Sequence, residues 1–121
     1  MNREIKFRAW DKVLNQYLPN IQNHLGNDEW AFGNILKENG NRYIVEQYTG
    51  LKDKNGKDIY EFDICKFYNR YNETWYIRVV RYCPNFACFG LYPNMEVIWE
   101  YESDWLKISE VEVICNIYEN P

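Results

Sequence analysis

Apolar and polar residues alternate near the start of the chain. Ile5, Phe7 and Ala9 fall on one side and Lys6 and Arg8 on the other, the period of a strand buried on one face. The polar run Asp11 to Gln16 predicts a turn, with a second strand in the apolar Tyr17, Leu18 and Ile21. From Asn20 to Asn41 the period is lost. Only Trp30, Phe32, Ile35 and Leu36 interrupt a polar stretch, which predicts an excursion holding one helical turn or an irregular hairpin. Strand character returns over Tyr43 to Tyr48, and again over Asp58 to Tyr68, where Tyr60, Phe62 and Ile64 share a face opposite Glu61 and Asp63. Between these two runs lies Asn55-Gly56. Both residues tolerate positive φ, so the pair predicts a two-residue hairpin turn.

Trp75 to Tyr82 reads as a strand apolar on both faces except at Arg78 and Arg81, ended by Cys83-Pro84-Asn85. Ala87 to Tyr92 and Glu96 to Tyr101 are shorter candidates, and Ser103 is placed to cap a single helical turn through Leu106. The last strand sets Val111, Val113, Cys115 and Ile117 against Glu110, Glu112 and Asn116. Short, closely spaced strands with turn signals between them predict a mainly β fold, a small barrel or sandwich.

Composition sharpens this picture. A chain of 121 residues fits one domain. Its eleven Tyr, five Trp and six Phe make 18% aromatics, which favour strands and supply a large core area per residue. They also exceed what a domain this small buries comfortably, so an exposed aromatic patch is expected. Trp75, Tyr76, Phe86 and Tyr92 are the candidates for that binding surface. No apolar run is long enough to span a bilayer and the N-terminus has no signal-peptide core, so a cytoplasmic protein is expected. Cys65, Cys83, Cys88 and Cys115 sit in or beside apolar segments and read as reduced thiols packed like small hydrophobes. Zinc would need a second knuckle to follow Cys83 and Cys88, and His24 is the only histidine.

A formal charge of −4 disfavours nucleic acid, whose phosphates call for a basic patch. Lys66, Arg70, Arg78 and Arg81 would have to form one locally, among Glu61, Asp63 and Glu73. Gly50 to Asp58 fails as a phosphate loop: five residues separate Gly50 and Gly56, and Asp58 stands where a hydroxyl should follow Lys57. It also fails as an EF-hand, because counting from Asp53 puts Gly56 fourth and Ile64 twelfth. Glu61 and Asp63, alternating on a strand, could converge as a carboxylate pair, yet no nucleophile or second base accompanies them, and salt bridging or capping is the preferred role. No catalytic residue, metal or cofactor is expected.

Three segments resemble, in order, the signature blocks of the YopX family of phage- and prophage-encoded proteins: REIKFRAWD (Arg3 to Asp11), QYTGLKDKNGKDIYEFDI (Gln47 to Ile64) and VICNIYENP (Val113 to Pro121). The resemblance implies an SH3-like β-barrel, a phage or prophage origin, and no established catalytic residues. The expected layout is one domain, with N-terminal strands and the irregular excursion in 1–45 and the barrel core in 46–121. Trp10, Tyr48, Gly50, Asp53, Asn55, Gly56, Tyr60, Asp63, Asn116 and Tyr118 belong to the shared motifs and read as structural. The family usually carries Gly where this chain has Phe62 and Cys115, so packing there is expected to differ. A non-enzymatic binding or accessory protein follows, whose partner is a second copy or a host or phage protein. A nucleic-acid-binding barrel is the alternative, and a small enzyme using Glu61 and Asp63 the third reading.

Overall fold

The computed structural model describes residues 4–23, 32–69, 72–84, 87–96 and 111–119. Among them are eight strands: β1 (Phe7–Asp11), β2 (Gln16–Pro19), β3 (Tyr43–Lys52), β4 (Asp58–Tyr60), β5 (Asp63–Asn69), β6 (Thr74–Cys83), β7 (Cys88–Tyr92) and β8 (Glu112–Asn116). A 3-10 turn covers Ile21–Asn23, and the short helix α1 covers Phe32–Lys37. The strands form two sheets, ordered β2-β1-β3-β4 and β7-β6-β5-β8. The fold is mainly β with antiparallel sheets, one of them a half-barrel, in keeping with the expected SH3-like barrel. The chain divides into two compact units, Met1–Gly50 and Leu51–Pro121. The division falls inside β3.

In the first unit β1 pairs antiparallel with β2 and β3, setting Ala9 opposite Leu18 on one side and Val45 on the other. That face is apolar. Ala9, Ile21, Ile35 and Tyr43 are buried there, with Phe7, Leu18, Phe32 and Val45 packed around them. The helix is short because few residues drive it: Phe32 and Ile35, three apart, bring one face onto the sheet. The opposite face carries a polar network. Arg8 Nε donates to Glu46 Oε1 at 2.8 Å and the Tyr17 hydroxyl donates to the same oxygen at 3.0 Å. The Arg8 guanidinium also lies 4.0 Å from the Tyr17 ring centre. A buried carboxylate survives only with such partners.

In the second unit β5 pairs with β6 and β8, and β6 with β7, all antiparallel. Ile59, Cys65, Phe67, Val80, Leu91, Val111 and Val113 form its core, with Leu51, Tyr76 and Phe89 against it. Two strands depart from the periodicity of their sequences. Asp58 to Tyr68 is not one strand: Glu61 and Phe62 turn the chain between β4 and β5, and Phe62 has φ 69°. In β8 the register shifts, Ile64 facing Cys115 while Cys65 faces Val113. Ile114 is the extra residue of this bulge. The bulge reverses the alternation beyond it, so Asn116 is buried rather than outward. The expected strand Glu96 to Tyr101, the turn capped by Ser103, and Phe86 and Arg70 lie largely or wholly outside the described residues.

Candidate functional site

The acid-rich hairpin between β3 and β4 is the first place to look for chemistry, and its oxygens are already committed. Gly56 has φ 82° with open space where a Cβ would sit. The turn therefore needs glycine for its backbone conformation and not for room. Asp53 is buried rather than solvated at a hairpin tip. Its Oδ1 accepts from the Asn55 and Lys57 amides at 2.8 and 2.9 Å, and its Oδ2 from the Val113 amide at 3.0 Å. The Lys54 amide donates to the Val111 carbonyl at 3.0 Å, so the hairpin is fastened to the strand that opens the last signature block. Burial pushes the Asp53 pKa up, but the Val113, Lys57 and Asn55 amides and the Lys57 charge outweigh it and hold the carboxyl below the ordinary aspartate range.

Glu61 and Asp63 do not lie on one strand. Glu61 is in the turn, whereas Asp63 is buried at the start of β5 with Oδ2 accepting the Tyr60 amide at 2.8 Å. The alternation that would align them is lost where the chain turns. The Phe62 amide donates to the Val80 carbonyl at 2.7 Å, and the Ile117 amide donates to the Phe62 carbonyl at 3.2 Å. Asn116, opposite Asp63 in the ladder, accepts from the Tyr118 and Glu119 amides at 2.8 and 3.0 Å. The left-handed Phe62 is thus held from both sides, and the middle and last signature blocks are strand neighbours.

Two aromatic motif residues, Trp10 and Tyr48, are buried. Trp10 is buried edge-on to Tyr17, with ring centres 5.0 Å apart. Lys6 Nζ lies 4.6 Å from the centre of the buried Tyr48 ring. Gly50 bends β3 at φ 91°. Among the described residues, no three His, Cys, Asp or Glu side chains gather to hold a metal. Cys65 is buried and its thiol is pushed upward by burial and by Asp63 and Asp53; Cys115 is pushed upward by burial and by Glu119.

The aromatic candidates separate. Trp75 is exposed at 54%. Tyr76 turns to the other side of β6 and stacks on Phe67 with ring centres 5.6 Å apart. Tyr92 is 2% exposed, contrary to its expected place on the surface, because it stands opposite the buried Val79 beneath the Arg81 guanidinium, 4.3 Å from its ring centre. The exposed neighbour of Trp75 is a residue the candidates omit. Ile77, two positions along β6, is 59% exposed. Across the ladder Tyr68 faces Trp75 and Lys66 faces Ile77. The Tyr68 and Trp75 rings are 5.3 Å apart, and Lys66 Nζ is 5.6 Å from the Trp75 ring centre. This face is buried at Ile64, Val79 and Tyr92 and open at Trp75 and Ile77. The signal in the sequence was the apolar character of both faces of 75–82; two large apolar residues two apart must share one of them.

Paired antiparallel sheets, with signature segments spent on ladders and turns, define a small mainly β domain built around its motifs. The YopX protein family model matches residues 6–121. The chain belongs to the YopX family. Among solved structures, it is similar to the crystal structure of protein EF1440 from Enterococcus faecalis, with 25% identity and a TM-score of 0.61 over 99% of this chain and 97% of that one. No curated protein matches. Among the described residues, no helix is long and apolar enough to cross a membrane.

Proposed function

We propose that this chain is a non-enzymatic accessory protein of a phage or prophage, working in the bacterial cytoplasm by docking another protein chain, a second copy of itself included. The docking face is the open end of the β5–β6 ladder. One observation carries the reading: Trp75 and Ile77 stand side by side on one strand face, each more than half exposed. Large apolar groups left in water at adjacent positions are costly unless something covers them. Tryptophan and tyrosine are the residues most enriched in interface hot spots, and here Trp75 and Tyr68 are ring neighbours.

Placing a photo-crosslinking residue at 77 or at the exposed Val13 tests this in bacteria producing the protein. Position 77 should give a discrete protein adduct, lost when Trp75→Ser is added; adducts equal at both positions, or none at 77, would sink the reading. Lys66 and Arg81 on the same face as Trp75 support nucleic acid as a second reading. It is the weaker one, because Glu112 takes Lys66 at 3.4 Å and Arg78 lies on the other side of β6 over Tyr76. Quenching of Trp75 fluorescence by single-stranded oligonucleotide at low salt would favour it.

A further inference from the structure

We propose that Cys83 and Cys88 are a dithiol site that closes to a disulfide across the β6–β7 hairpin when the protein meets a small-molecule disulfide such as oxidised glutathione. The two residues face each other in the ladder, Cys83 ending β6 and Cys88 beginning β7. Directly opposite residues on antiparallel strands have Cα atoms about 4.5 or 5.5 Å apart, depending on their place in the hydrogen-bond pattern, and their side chains leave the same face. Both spacings fall in the range that a disulfide spans without backbone movement. The other two cysteines lack this relation: Cys65 faces Val113 and Cys115 faces Ile64.

Exposure sets the order of events. Cys88 is partly exposed and Cys83 is buried. The Cys88 thiolate attacks one sulfur of the small disulfide, forming a mixed disulfide and releasing one thiol. The Cys83 thiolate then attacks the Cys88 sulfur and releases the second. Two protein thiols are oxidised, one small disulfide is reduced to two thiols, and the two protons pass to those leaving thiolates.

The test uses glutathione redox buffers followed by alkylation and trypsin. The cut after Arg81 and the next at Lys107 keep both cysteines in one peptide, apart from Cys65 and Cys115. Oxidation of the native protein should give this peptide lighter by two hydrogens and carrying no alkyl groups. Closure should also occur at a more reducing buffer ratio, by about tenfold or more, than for the same protein in urea, because the ladder raises the effective concentration of one thiol at the other. Cys88→Ser, at the less buried position, should abolish closure. The proposal fails if native protein stops at a glutathione adduct on Cys88, if the bridge instead involves Cys65 or Cys115, or if native and unfolded protein close at the same ratio.

Discussion

Phe62 shows how much one residue can depend on its neighbours. A non-glycine residue in the left-handed region costs roughly 1–2 kcal/mol, and this one sits in a turn fixed by Val80 and Ile117. Replacing it with alanine or with glycine removes the ring equally, but only glycine relieves the backbone. Phe62→Gly should therefore be more stable than Phe62→Ala by about 1 kcal/mol in denaturant unfolding, reversing the usual order of these two residues. A φ of 69° at this position accounts for the glycine that the YopX family usually has here. Asp53 is the converse case, a polar residue whose value comes from burial. Asp53→Asn puts an amide nitrogen against one of three backbone donors, and should lower stability by ~1–3 kcal/mol in the same measurement.

At the scale of elements, the turns were more legible than the strands between them. Asn55-Gly56 marks the place of its hairpin but not the form: five residues, Asp53 to Lys57, join β3 to β4. Of the pair only Gly56 takes positive φ, the Gly56 amide donating to the Asp53 carbonyl at 3.0 Å. Gly56→Ala should cost about 1 kcal/mol or more by thermal unfolding despite the open space around it. The strand pattern misled twice for one reason. Alternation assumes an unbroken ladder, and both the turn at Glu61–Phe62 and the bulge at Ile114 interrupt it. Asp63 and Asn116, both read from the sequence as outward, are buried caps. Asn116→Ala leaves the Tyr118 and Glu119 amides without their side-chain acceptor, and a loss of roughly 1–2 kcal/mol is expected. Hydrogen exchange should then quicken at those two amides.

The whole molecule has an acid limit that its net charge does not reveal. Asp11 and Asp53, on different units, are both held below the ordinary aspartate range. At Asp11 burial pushes upward, but Arg42 and the Leu14 and Val13 amides outweigh it. In the unfolded chain each returns to about 3.9. Folded values depressed below unfolded ones mean that the stabilisation is complete above the unfolded value and is lost as pH falls through the folded one. Stability should therefore hold from neutrality to about pH 5 and fall steeply below about pH 4; the acid limb should flatten in Asp53→Asn. Equal pH dependence in that variant and the parent would contradict the role given to Asp53.

The sequence by itself determined the β class, the positions of most turns and the family, because each depends on local conformation or on residues readable in order. Tertiary structure decided the rest. Only the ladder shows that Trp75 and Ile77 share an open face while Tyr92 lies covered by Arg81, since exposure depends on what packs from distant segments. Only the junction of β4, β5 and β8 turns Asp53 and Asp63 of the central motif into acceptors for backbone amides. Those amides must be satisfied once buried, and that requirement is set by the folded chain as a whole.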